Sequence, residues 1–122
     1  MVKISKVTWI SKEALEAEVI ITDGKFELLC FSQPFNHVLD GMLSEPLHCY
    51  NAKNIVKADG DDFKALKLTE YFAYNITGKL ISRQEGILIL GDIQISVDKD
   101  MIPRDIQDGI FIAFYCQRID LF

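Results

Sequence analysis

The segment from Leu15 to Cys30 places the tightest limit on what this chain can fold into. Leu15, Ala17, Val19 and Ile21 alternate with Glu16, Glu18, Ile20 and Thr22, the period of two of a strand with one buried face. Asp23-Gly24 follows, a dipeptide suited to the positive φ of a two-residue hairpin turn. Phe26, Leu28 and Cys30 lie beyond it. A two-residue turn sets Thr22 opposite Lys25, Ile21 opposite Phe26, Val19 opposite Leu28 and Ala17 opposite Cys30. All the apolar positions then share one face, and a slip of one residue would turn them to solvent.

The pattern is mainly extended from there on. A second hairpin is expected from Ile81–Arg83 through Gln84-Glu85-Gly86 into a returning strand, Ile87 to Val97. In that strand Ile89, Ile93, Ile95 and Val97 share a face, with a bend at Gly91. Tyr71 to Ile76 is rich in strand formers, and Gly78 marks a bulge or bend. Pro46 to Ala58 reads as one irregular strand or two short ones, followed by a turn at Asp59-Gly60-Asp61-Asp62. The final strand, Ile110 to Leu121, is apolar on both faces, which suits a central strand or one covered on both sides. Only Ser32 to Leu43 changes period. Phe35, Val38, Leu39, Met42 and Leu43 fall on one helical stripe, with Ser32 as N-cap.

These features predict an all-β, mostly antiparallel small barrel or strongly curled sheet of about seven strands with one short helix. A short helix after the third strand is similar to the architecture of the oligonucleotide/oligosaccharide-binding (OB) barrel, whose helix plugs the barrel between its third and fourth strands. The likeness implies a binder of single-stranded nucleic acid or oligosaccharide. A length of 122 residues fits one domain spanning 1–122.

Charge and cysteine content narrow the function classes. A net charge of -5 is poorly suited to long-range attraction of nucleic acid or anionic lipid. No stretch approaches the ~20 uncharged apolar residues of a membrane helix. Nucleic acid and membrane partners are therefore not expected. Three cysteines, Cys30, Cys49 and Cys116, make an odd set without a CxxC pair, which points to free thiols in a cytoplasmic protein.

Few residues carry a chemical signature. With Asp59 at position 1 of a calcium loop, Asp61 and Glu70 fall at positions 3 and 12. Lys64, however, occupies the place that needs glycine, so a solvated acidic turn is expected. His48 and Cys49 are neighbours and point to opposite faces of a strand, so they cannot share a metal. No metal and no cofactor are predicted. Cys49, beside His48, is the least implausible nucleophile, though no flanking motif supports it. Ile102 to Gly109 reads as a lid over one barrel end.

Three readings of function follow. The first is a non-enzymatic protein-interaction module that pairs with a basic protein or with itself through Tyr71, Phe72 and Tyr74. The second is the OB-type binder. The third is a small-ligand or enzymatic pocket inside the barrel, with His48, Asn75, Asp92, Gln94 and Arg118 as its polar groups.

Overall fold

In the computed structural model, which describes residues 1–122, nine strands join in one hydrogen-bonded sheet. They are β1 (Lys3–Ser11), β2 (Glu16–Thr22), β3 (Glu27–Ser32), β4 (Leu47–Lys57), β5 (Lys64–Lys67), β6 (Tyr74–Ser82), β7 (Ile87–Leu90), β8 (Ile93–Ser96) and β9 (Phe111–Leu121). Their order is β1-β2-β3-β9-β4-β8-β7-β6-β5, and β6 also pairs with β9. That last pairing closes β4, β8, β7, β6 and β9 into a five-stranded barrel. The β1–β2–β3 meander is joined to the barrel by a short parallel contact of β3 with β9, Phe31 opposite Asp120 and Ser32 opposite Leu121. The remaining parallel pair is β4 with β8.

The all-β barrel expected from the alternation is what forms. Two strands are added to the expected seven, and one comes from splitting Ile87–Val97. Gly91-Asp92 is a tight turn that brings Leu90 opposite Ile93. A Cβ on Gly91, whose φ is 59°, would meet the Asp23 carboxylate at 2.3 Å. Reversal of the chain there also changes the faces. Leu88, Leu90, Ile93 and Ile95 are inside, and Ile89 is only half-buried. The irregularity expected at Gly78 lies instead between Leu80 and Ser82.

The β2–β3 hairpin keeps its predicted faces but not its predicted pairing. Val19 lies opposite Cys30, Ile21 opposite Leu28 and Ala17 opposite Ser32, a displacement of two residues. The loop therefore has four residues, Asp23 to Phe26. Asp23 Oδ1 accepts the backbone N–H groups of Lys25 and Phe26 at 2.9 and 2.8 Å, and the Thr22 hydroxyl donates to Phe26 O at 2.7 Å. These side-chain bonds favour the wider turn. A shift of two preserves parity, so Ala17, Val19, Ile21, Leu28 and Cys30 are all fully buried.

The expected helix does not form, and with it goes the feature that suggested an OB barrel. The backbone of this stretch pairs with the start of β1 instead. Asp40 N–H donates to Ile4 O at 2.8 Å, Ile4 N–H to Gly41 O at 3.1 Å, and Leu43 N–H to Val2 O at 2.9 Å. Phe35 is buried, but Val38, Leu39 and Met42 stay exposed. The helical stripe therefore has no surface to pack on.

β9 is central, flanked by β4 and β6. Ile112, Phe114 and Cys116 enter a core cluster of 26 buried residues. Outside, Phe111 packs on Phe63 with ring centres 5.2 Å apart, and the Tyr115 hydroxyl bonds the Glu70 carboxylate at 3.1 Å. The chain thus covers much of the second apolar face of β9 itself. One barrel end carries the expected lid. Ile102 and Ile106 are buried, and the Arg83 guanidinium donates to the carbonyls of Ile102, Pro103 and Ile106. A 3₁₀ turn, Lys99–Met101, is the sole helical element.

Candidate interaction face

Strand register builds the most distinctive surface. Arg118 on β9 lies opposite Tyr50 on β4, and Asp120 on β9 lies opposite Phe31 on β3. The Arg118 guanidinium sits between two rings, 4.6 Å from the centre of Phe31 and 4.8 Å from that of Tyr50. Its Nε and Nη2 donate to the two carboxylate oxygens of Asp120 at 2.6 and 3.1 Å. That fork holds the plane of the guanidinium against the rings. The Asp120 bond raises the Arg118 pKa above its usual value, against the opposing effect of burial.

The surface continues through the turn between β5 and β6. Phe72 meets Phe31 edge-on with centres 5.9 Å apart, and Tyr71 meets Phe72 at 4.8 Å. The Tyr71 hydroxyl donates to the Glu18 carboxylate, which raises the phenol pKa, with smaller contributions from burial and from the charge of Glu18. Tyr50 and Tyr71 are 47% and 61% exposed. The result is a contiguous face of four aromatic rings and one arginine, bordered by Glu18, which accepts the Tyr71 hydroxyl, and by Glu70, the residue before Tyr71.

Of the three residues predicted as an interface, Tyr71 and Phe72 belong to this face. Tyr74 does not. It is buried, and its hydroxyl oxygen accepts the Leu29 backbone N–H at 2.9 Å on the edge of β3 away from β2, where the pairing with β9 reaches only Phe31 and Ser32. Sequence reasoning missed Phe31 and Tyr50. Both were open to inference from parity, since each adjoins a buried cysteine, Cys30 or Cys49, and so must point the other way.

The five predicted pocket residues do not meet as a set; Asp92 and Gln94 share only a small hollow of about 40 Å³. Asn75 is exposed on β6, between Leu66 and Tyr115. Asp92 and Gln94 are exposed on the β7–β8 hairpin. Arg118 belongs to the aromatic face. His48 alone lines a sizeable cleft, of about 430 Å³, with His37, Met42, Pro46 and Leu121 among its walls. His48 Nδ1 lies 3.0 Å from Ser96 Oγ there. The barrel interior itself is filled by apolar side chains. A larger hollow of about 680 Å³ near the lid is lined by polar residues, including Arg83, whose guanidinium is already engaged by lid carbonyls.

All three cysteines are free and buried. The hydrogen bond to Cys116, together with burial, pushes the Cys49 thiol well up, and burial does the same to Cys30. Cys49 is therefore a core thiol, 2% exposed, whose burial and bond to Cys116 disfavour the thiolate. No three His, Cys, Asp or Glu side chains are grouped as a metal site would require. No helix is long and apolar enough to cross a membrane. No protein-family model, curated protein or solved structure matches the chain.

Proposed function

We propose that this protein is a non-enzymatic interaction module that receives a basic segment of a partner protein on the face formed by Phe31, Tyr50, Tyr71, Phe72 and Arg118. The observation that carries this reading is the stacking of Arg118 between Phe31 and Tyr50. Tyrosine, arginine and other aromatics dominate the energetic centres of protein interfaces, and here the arginine is ordered before any partner arrives. Preorganisation of that kind reduces the entropy lost on binding. The sign of the partner follows from the border. Glu18 and Glu70 retain acceptor capacity beyond their tyrosine bonds, the exposed rings suit cation–π contacts, and the chain carries a net charge of -5.

Titration calorimetry with a lysine/arginine-rich peptide and its glutamate counterpart tests the reading. Only the basic peptide should bind, more weakly as salt rises. Tyr50→Ala and Tyr71→Ala should each weaken it at least about tenfold. Neither change alters the charge of the chain, so binding that survives both would be diffuse attraction and would reject the face.

The His48 cleft supports a second reading, a site for a small amphipathic ligand, because an apolar wall there adjoins the His48–Ser96 pair. Chemical-shift changes confined to His48, Ser96 and Leu121 in a fragment screen would favour it over the aromatic face.

A further inference from the structure

We propose that two copies of this chain pair antiparallel along β1, centred on Thr8, whose β2 neighbour Glu18 borders the aromatic face. The sheet has two terminal strands, and they differ. β5 has four residues with lysine at each end, Lys64 and Lys67, a short charged edge of the kind that discourages pairing. β1 has nine residues. Its first part is closed off by the 40–43 stretch, but beyond Lys6 its backbone bonds only to β2. Val7-Thr8-Trp9-Ile10-Ser11 carries neither charge nor proline. Trp9 and Ile10 are 38% and 49% exposed. An unpaired row of N–H and C=O groups beside exposed apolar side chains is a template for another strand.

Symmetry and register suit a second copy of the chain as that strand. The register shifts of β1 lie between Ile4 and Lys6 and between Trp9 and Ser11, which leaves Lys6–Trp9 regular. A two-fold axis between antiparallel strands stands perpendicular to the sheet, so facing residues must point to the same side. An axis through any residue meets that condition, and Thr8 lies within the regular stretch. Thr8 then faces its own copy, and Val7 faces Trp9 on both sides of the axis. Threonine pairs and aliphatic–aromatic pairs are both favourable across strands. Lys6 does not face its symmetry mate, so no like charges are opposed.

Sedimentation velocity on the full chain, with fluorescence of Trp9, the single tryptophan, tests the pairing. The parent should show a monomer–dimer equilibrium, with Trp9 emission moving to shorter wavelength as the dimer forms. Thr8→Lys and Thr8→Glu each place a charge opposite its own copy. Each should weaken the dimer at least about tenfold with an unchanged circular dichroism spectrum, and mixing the two variants should restore it. Tyr50→Ala, which leaves the Tyr71–Glu18 bond beside Thr8 in place, should weaken peptide binding but leave the dimer intact, which separates this contact from binding at the aromatic face. A parent that stays monomeric at every accessible concentration overturns the proposal. So does a dimer that both folded charge variants preserve.

Discussion

The backbone N–H of Asp92 donates to the Asp23 carboxylate at 2.9 Å and so ties the β7–β8 turn of the barrel to the β2–β3 loop of the meander. The same carboxylate shapes its own loop through Lys25 and Phe26. Partial burial pushes Asp23 up, but the N–H groups of Phe26, Asp92 and Lys25 outweigh it, and the pKa lies below the usual value. A carboxyl depressed on folding stabilises the protein above its unfolded pKa of about 3.9, and the contribution is lost as pH falls through the folded value. Asp23→Asn should cost roughly 1 kcal/mol at neutral pH. Urea unfolding should show that difference shrinking as acid protonates the parent.

Two glycines in these turns should respond differently to alanine. Gly24 has φ 96° and open space around its missing Cβ, so Gly24→Ala should cost only the backbone strain, about 1–2 kcal/mol. At Gly91 the same strain is joined by a clash with the Asp23 carboxylate. Gly91→Ala should therefore lose about 1 kcal/mol more as the tie to Asp92 breaks. Equal losses in denaturant melts would mean that the tie contributes nothing.

Tyr74 predicts behaviour at the alkaline limit. Burial raises its pKa, against the opposing Leu29 N–H, with Cys30 and Glu27 adding to the rise. A phenol whose folded pKa is raised stabilises fully below its unfolded value of about 10, and that stability is lost as pH climbs through the folded value. Tyr74→Phe should cost about 1 kcal/mol near neutrality, since the Leu29 N–H loses its acceptor. The variant should then be less sensitive than the parent between pH ~10 and the folded value, read from thermal melts.

The lid depends on Arg83. Its guanidinium serves three carbonyls, and its backbone N–H donates to Asp108 Oδ1 at 2.7 Å. Arg83→Ala leaves the carbonyls of Ile102, Pro103 and Ile106 without this donor. A loss of about 2 kcal/mol is expected. Hydrogen exchange should speed up first between Ile102 and Gly109, because the lid has no strand pairing of its own.

Strand faces are legible in the β2–β3 hairpin because alternation reports parity, which a shift of two leaves unchanged; they are not legible across Gly91, where the chain reverses and puts Leu88 and Leu90 inside in place of Ile89. Alternation puts Ala17, Val19, Ile21, Leu28 and Cys30 inside, although the expected partners differ from the observed ones by two residues. Pairing was not legible where side chains rebuild a turn, as Asp23 and Thr22 do. The Ser32–Leu43 stripe misled because periodicity is blind to competing backbone partners, here Val2 and Ile4. The interaction face was half visible. Tyr71 and Phe72 stood out as a cluster in sequence, but Phe31, Tyr50 and Arg118 meet only through the register of β3, β9 and β4.

Arg118 serves stability as well as the proposed interface, and a double-mutant cycle separates the two. The Asp120 side chain is only 8% exposed, against 34% for Arg118. Arg118→Ala therefore strands a mostly buried carboxylate and removes the plate between Phe31 and Tyr50. A fully buried pair broken in this way costs about 3–5 kcal/mol; the partial exposure of Arg118 brings the expectation to roughly 2 kcal/mol. Asp120→Ala alone leaves the cation, which can turn toward water, and should cost less. Removing both takes away the stranded charge, so the double variant should be more stable than Arg118→Ala, with a coupling of about 1 kcal/mol or more. Binding of the basic peptide should not recover with stability, because the stacked guanidinium is still missing. A double variant that regains both fold stability and peptide affinity would show that Arg118 acts only as the counter-ion of Asp120.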